Sequence, residues 1–202
     1  MNKSRLEAFS DGVIAIIITI MVLQIELPPG SASFSDLRPL VPVLLGYTLS
    51  FVYVGIYWNN HHHLLGSVSK IGGRVLWPNL HLLFWLSLVP FVTDWVGQST
   101  FAAAPLAVYG AVLLMAAIAF QILQRSLVAV NGPTSALARA VHQDWKGPLS
   151  MLLYSLGIAA SFWNGRMAGI IYALVALGWL VPDRRLERLL ATASDTNQIT
   201  SG

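Results

Sequence analysis

The sequence contains no cysteine, and only 10% of its 202 residues are charged. The absence of cysteine excludes disulfide bonds and thiolate metal sites. Soluble domains carry about 25% charged residues. Here 55% of the chain is hydrophobic, so the composition indicates an integral membrane protein surrounded by lipid. The net charge of +3 is small and scattered along the chain, which argues against a nucleic-acid-binding protein.

Several catalytic and channel motifs are also missing. The chain has no G-x-S-x-G, H-E-x-x-H or Walker sequence, so we expect no enzymatic activity, no cofactor and no bound metal. It has no T-V-G-Y-G loop, which ordinary potassium channels use as a selectivity filter. No charged residue lies near the middle of a predicted membrane span, which argues against a carrier with an intramembrane carboxylate relay.

Long apolar segments dominate what is present. Six of them are long enough to cross a hydrocarbon core about 30 Å thick, which requires roughly 20 helical residues. We predict an all-α, polytopic membrane domain over residues 1–182, followed by a polar cytoplasmic tail over 183–202. A short cytoplasmic helix is expected within 131–145. The six predicted transmembrane helices are 5–27, 38–63, 71–97, 103–125, 146–164 and 166–182.

The basic residues predict how the chain is oriented. Only Arg38 and Arg166 fall on the side opposite the N-terminus. Since cytoplasmic loops carry an excess of lysine and arginine, both termini should be cytoplasmic, in the cell (inner) membrane. The first apolar run is too long for a signal-peptide core, so we expect it to remain in the mature protein. The other basic residues are Lys3, Arg5, Lys70, Arg74, Arg125, Arg139, Lys146, Arg184, Arg185 and Arg188.

The first predicted helix joins a polar head to a long apolar body. Arg5, Ser10 and Asp11 come just before an uncharged run, although a charge inside a span costs about 2.5–3.5 kcal/mol on insertion scales. At 3.6 residues per turn, Asp11 lies more than a third of a turn from the apolar stripe. The stripe therefore faces a symmetry axis, a neighbouring helix or lipid, while Ser10 and Asp11 turn towards polar partners. Its members are Ile16, Ile20, Leu23 and Leu27, with Thr19 at the edge.

Three consecutive histidines lie at the end of the second predicted span. Successive residues of a helix point about 100° apart, so His61, His62 and His63 cannot all bind one metal ion. We favour a polar network in which His62 or His63 meets an asparagine and the head of the first helix, because polar groups in lipid need partners. The candidate asparagines are Asn59, Asn60 and Asn79, and the candidate acceptors are Ser10 and Asp11.

Three carboxylates are predicted on the external side. Glu26, Asp36 and Asp94 lie near the external ends of the first three spans. They either concentrate cations at that surface or form part of an ordinary solvated surface.

Three motifs resemble those of a known channel family. R-x-x-x-F-S-D at 5–11, leading into an apolar helix, is similar to the signature of the lysosomal potassium channel family, which its bacterial and archaeal members share. W-x-x-H-H-x-L at 58–64 and N…P-F-x-T at 79–93 resemble the second and third helices of that family. The resemblance covers the six predicted spans.

The resemblance implies an architecture and a pore. A single six-helix unit with no re-entrant selectivity-filter loop would assemble in lipid as a homotetramer, with the first helices around a four-fold axis. By offset from the F-S-D motif, Ile16 would form the narrowest constriction. Thr19 would supply a hydroxyl layer for selectivity, and Leu23 a further apolar ring, with Ile20 in the same pore lining.

The resemblance also assigns a role to the polar head. Arg5, Ser10 and Asp11 would belong to the network that fixes the first helix. Asn79 and a histidine of the 61–63 run would be their partners, and the additional histidine in that run leaves open which imidazole takes part.

These observations favour a passive, potassium-permeable cation channel in the membrane lipid, with monovalent cations as the permeant ions. The alternative is a proton-coupled cation transporter that uses the His61–His63 cluster, because histidine titrates near neutral pH. A third possibility is a membrane scaffold without transport activity.

Overall fold

The structure is a computed structural model that describes residues 2–68 and 71–180. All regular elements in these ranges are helical and no strand occurs there, which confirms the all-α class. The predicted tail at 183–202 lies outside the described residues. Short 3-10 helices at Phe34–Leu40 and Gly73–Val75 precede α2 and α3. The α-helices are α1 (Lys3–Leu23), α2 (Val41–Gly66), α3 (Leu76–Ser87), α4 (Val89–Gln98), α5 (Ala103–Asn131), α6 (Ala136–His142), α7 (Lys146–Ser161) and α8 (Gly165–Leu180).

Within the described residues, four helical stretches are long and apolar enough to cross a membrane. They correspond to the first four predicted spans. The helices α7 and α8 have 16 residues each. Such a helix is about 24 Å long at 1.5 Å per residue, shorter than a hydrocarbon core of about 30 Å. A count of six spans therefore stays a prediction. The four stretches are Lys3–Leu23, Phe34–Gly66, Gly73–Gln98 and Ala103–Asn131.

The boundaries of the helices differ from the predicted ones where backbone hydrogen bonds are lost. The third span consists of α3 and α4, which are separated at Leu88. Pro90 at the start of α4 has no N–H to donate to the preceding turn, so the helix breaks there. The helix α1 ends at Leu23, so Glu26 and Leu27 lie beyond it. The short helix expected within 131–145 is present as α6.

The helix α5 forms the centre of the bundle, packing against α3, α4, α7 and α8. The helix α1 lies at one side of this bundle, where it packs on α2, α3 and α4. Buried hydroxyl groups connect the inner helices. Thr93 of α4 donates to Ser50 of α2 at 2.6 Å, and Ser50 lies 2.9 Å from the hydroxyl of Tyr109 on α5. Each buried hydroxyl thus finds a partner, as the lipid environment demands.

Close packing around Tyr172 depends on glycine at position 110. A Cβ atom there would overlap the Tyr172 hydroxyl and lie 2.7 Å from its Cζ. We expect Gly110→Ala to lower the free energy of unfolding by about 1–3 kcal/mol through overpacking. Thermal unfolding of the purified protein in detergent measures this. Gly169→Ala is the matched control, because no atom lies within 4 Å of a Cβ at that position. Equal melting temperatures for the two variants would contradict the prediction.

Candidate functional site

The helix α1 buries one face and exposes the other. The predicted apolar stripe belongs to the exposed face, with Ile16 57% exposed, Ile20 44% and Leu23 76%. The hydroxyl of Thr19 donates back to the carbonyl oxygens of Ala15 and Ile16, at 3.1 and 3.0 Å. An unpaired apolar face on a membrane helix must be covered by lipid or by another chain. The buried face consists of Leu6, Ser10, Ile14, Ile17 and Met21.

A buried hydrogen-bonded chain joins α1, α2 and α3. The side-chain amide of Asn79 on α3 donates from Nδ2 to Ser10 Oγ on α1 at 2.9 Å. Its Oδ1 lies 2.7 Å from Nε2 of His61 on α2. All three side chains are buried. Because an amide oxygen can only accept, His61 must carry a proton on Nε2 for this bond to form. The Asn79 amide therefore bonds α1 through its nitrogen and α2 through its oxygen.

The carboxylate of Asp11 is held by a second contact between α1 and α2. Trp58 Nε1 donates to Asp11 Oδ1 at 3.0 Å. The His62 ring stacks on the Trp58 ring, with centroids 5.9 Å apart and planes 25° apart. Asp11 is only partly buried, so this contact lies at the edge of the bundle rather than inside it.

The structure corrects the histidines expected in the polar network. It brings together Ser10 and Asn79 as predicted, but the histidine that completes the network is His61 rather than His62 or His63. His62 is exposed and contacts Trp58, and His63 packs edge-on against His62 at 5.8 Å between centroids. Consecutive helical residues differ by about 100° in direction, so only one of the three can reach α3.

The basic residues at the start of α1 behave differently from each other. Lys3 donates to the carbonyl oxygens of Gly66 and Val68, at 3.4 and 2.9 Å, and so ties the beginning of α1 to the end of α2. Arg5 is exposed, and its guanidinium forms no hydrogen bond or ion pair with any residue that the structure describes. The sequence did not reveal that Lys3 bonds the end of α2 or that Trp58 bonds Asp11. The i, i+3 spacing of Trp58 and His61, which places them on one helix face, is the signal that was available.

The three carboxylates predicted on the external side lie in separate segments. Asp36 accepts from the backbone N–H groups of Ala32 and Ser33, at 3.0 and 2.9 Å, and thereby caps the 3-10 helix before α2. Asp94 accepts from Gln98 one turn further along α4, at 2.9 Å. Glu26 is exposed in the loop after α1. Within 2–68 and 71–180, no group of three or more metal-ligating side chains lies together.

Comparisons with known proteins agree with the motifs at the start of the chain. Residues 5–90 match a family profile described as the endosomal/lysosomal potassium channel TMEM175. A potassium channel of Chryseobacterium sp. (strain P1-3) is 54% identical over 190 residues, which cover 94% of this chain and 98% of that protein. The zebrafish (Danio rerio) endosomal/lysosomal proton channel TMEM175 is 38% identical over 81 residues, 35% of this chain and 16% of that protein.

A solved structure shares the arrangement of the helices. The crystal structure of a lysosomal potassium-selective channel TMEM175 homologue from Chamaesiphon minutus superimposes with a TM-score of 0.79 at 27% sequence identity. The alignment covers 89% of this chain and 96% of that one. The similarity thus extends over nearly the whole described fold, beyond the residues that carry the opening motif.

Proposed function

This chain belongs to the TMEM175 family of potassium channels, which are not enzymes, and from that premise we propose that it conducts potassium ions through a homotetrameric pore lined by α1. One observation carries the proposal. The apolar face of α1 is exposed, while its opposite face is tied to α2 and α3 by Ser10 and Asp11. A helix held in this way presents the same stripe to a common axis in each copy of the chain.

The proposed constriction is a ring of Ile16 side chains. An ion that passes an apolar neck must shed part of its hydration shell, and potassium holds its water less tightly than sodium does. The neck therefore hinders sodium more than potassium, and loss of water from it closes the pore. Selectivity should be modest, because no ring of carbonyl oxygens replaces the lost water. Ile20 and Leu23 would extend the apolar lining, and Thr19 would contribute a hydroxyl layer when its side chain rotates away from its own helix.

The polar network would set the rotation of α1 about its long axis. Asn79 and His61 hold Ser10, while Trp58 holds Asp11, on the side of the helix opposite the stripe. Two contacts one residue apart, to two different neighbouring helices, oppose rotation in both directions. The exposed guanidinium of Arg5 is available to a neighbouring subunit in this arrangement.

The proposed channel unit comprises six membrane-spanning helices within residues 1–182, without a re-entrant filter loop. The excess of lysine and arginine on one side supports cytoplasmic termini in the inner membrane. Glu26, Asp36 and Asp94 would then lie at the external surface and raise the local concentration of cations without setting selectivity.

The histidines argue against a proton-coupled transporter. His61 is buried and engaged with Asn79, whereas His62 and His63 contact Trp58 and each other. A coupled relay needs an unbroken path of titratable groups along the transport route, and these rings are directed to separate neighbours. The zebrafish relative is named a proton channel. Proton flux from liposomes is therefore measured together with potassium flux.

Flux from liposomes tests the proposal. Purified protein reconstituted into vesicles should release potassium passively, faster than sodium and without a requirement for a proton gradient. Native mass spectrometry of the detergent-solubilised protein should show four copies per particle. Absence of potassium flux from correctly assembled particles would favour the scaffold, and potassium flux that strictly follows proton flux would favour the coupled transporter.

A further inference from the structure

A cavity of about 40 Å³ opens between α2, α5, α7 and α8. This is larger than the roughly 10–15 Å³ that a single water molecule requires. No residue of α1 lines it, so it is separate from the proposed pore face. Five aromatic side chains line its wall, and its polar groups include Gln121 and Asp144. The aromatic residues are Tyr53, Tyr57, Phe120, Tyr154 and Trp179.

Only one oxygen of the Asp144 carboxylate accepts hydrogen bonds from the described residues. Its Oδ1 accepts from the backbone N–H groups of Lys146 and Gly147, at 3.0 and 3.2 Å, and so caps the start of α7. Its Oδ2 accepts no hydrogen bond from the part of the chain that the structure describes. No described lysine, arginine or histidine nitrogen forms an ion pair with it. The Lys146 ammonium instead bonds the Gly178 carbonyl at 3.3 Å and lies 5.6 Å from the centre of the Trp179 ring.

The geometry around this carboxylate depends on a glycine. A Cβ atom at Gly147 would lie 2.9 Å from Asp144 Oδ2 and would overlap Gln121 Nε2. Only glycine lets the carboxylate and the amide approach α7 together at the cavity. The indole of Trp179 is fixed as well, because its Nε1 donates to Ser150 Oγ at 2.8 Å. The wall is therefore held in place by hydrogen bonds on more than one side.

We propose that this cavity binds a small organic ammonium group. Aromatic faces attract cations through the ring quadrupole, and cages of several aromatic rings recognise quaternary ammonium groups. The free oxygen of Asp144 supplies the opposite charge, which an ammonium group needs where the surroundings are apolar. The head groups of choline and ethanolamine lipids share this chemistry with free amines. The site does not rest on the proposed pore, since all of its lining lies outside α1.

Calorimetric titration with choline tests the proposal on the purified full-length protein in a maltoside detergent, which carries no ammonium group. Choline should bind the wild type, and Asp144→Asn should weaken binding by about tenfold or more through loss of the charge. Asparagine keeps an oxygen for the N–H groups of Lys146 and Gly147, so α7 stays capped. Glu7→Gln, which removes a carboxylate on α1 away from the cavity, should leave the affinity unchanged. Phe120→Leu should weaken binding without a change of charge.

The neutral analogue 3,3-dimethylbutan-1-ol, which has the shape of choline without its charge, should bind much more weakly than choline. Equal affinity for choline and the neutral analogue would overturn the proposal, as would equal affinity of the wild type and Asp144→Asn for choline. The proposal also fails if neither choline nor ethanolamine binds the wild type. Nanodiscs separate the two sources of the ligand. At high salt, which screens the charge of the lipids, weaker choline binding in phosphatidylethanolamine than in phosphatidylglycerol identifies a lipid head group as the occupant, and equal binding in both identifies a free ammonium compound.

Discussion

Replacing Ile16 with asparagine should increase cation flux through the protein and remove most of its preference for potassium over sodium. The amide keeps water in the constriction, so neither ion has to shed its hydration shell there. We expect the flux to rise several-fold and the potassium-to-sodium ratio to fall to about one to two, because an apolar neck gates by loss of water. Flux of each ion from liposomes of matched protein content measures both quantities.

A matched variant separates this effect from a general disturbance of the membrane domain. Ile170 on α8 is 58% exposed, against 57% for Ile16, but it lies outside the proposed pore. Ile170→Asn should therefore leave both flux and selectivity as in the wild type. If Ile16→Asn changes neither quantity, the constriction is not formed by this residue and the assignment of the neck is wrong.

Replacing Asn79 with leucine should destabilise the protein more than any other single change in the polar network. Leucine has a similar size but removes both a donor and an acceptor, and so leaves Ser10 and His61 buried without their partner. Each stranded polar group costs about 1–3 kcal/mol, so we expect a loss of about 2–6 kcal/mol in the free energy of unfolding. Thermal unfolding in detergent, followed by size-exclusion chromatography, reports this loss.

Two further variants show whether the cost comes from stranded polar groups. Asn59→Leu makes the same substitution at an exposed asparagine of α2 and should change the melting temperature little. Ser10→Ala in the Asn79→Leu background removes one stranded group. The double variant should therefore be more stable than the sum of the two single losses predicts. Strict additivity would mean that Ser10 and Asn79 do not interact, contrary to their 2.9 Å contact.

The sequence was sufficient to predict the helical class and the two faces of α1. Both follow from local quantities, namely the length of apolar runs and a period of 3.6 residues. Ile16, Ile20 and Leu23 share one face of α1, as that period requires, and the structure leaves this face exposed. Leu27 is not on the helix, because α1 ends at Leu23, before Pro28 and Pro29. The residue at which a helix ends depends on capping and on the loop that follows.

The choice of histidine could not be made from local patterns. His61, His62 and His63 are chemically identical, and only the position of α3 relative to α2 decides which ring reaches Asn79. That position depends on packing between residues far apart in the chain. The cavity near Asp144 was not anticipated for the same reason, since its lining comes from four helices. Pairings between helices are therefore the part of the site that sequence periodicity leaves open.

The polar ties of α1 also have a mechanical consequence. They involve Lys3, Ser10 and Asp11, all in the first half of the helix, whereas the end at Leu23 leads into a loop. In its polar contacts the helix resembles a rod clamped near one end, and further along it is held only by apolar packing at Ile14, Ile17 and Met21. Ile16 lies about 7.5 Å along the axis from Asp11, and Leu23 about 18 Å, at 1.5 Å per residue. A tilt about the clamp therefore displaces Leu23 about 2.4 times as far as Ile16, so any tilt widens the C-terminal end of the stripe more than the proposed constriction.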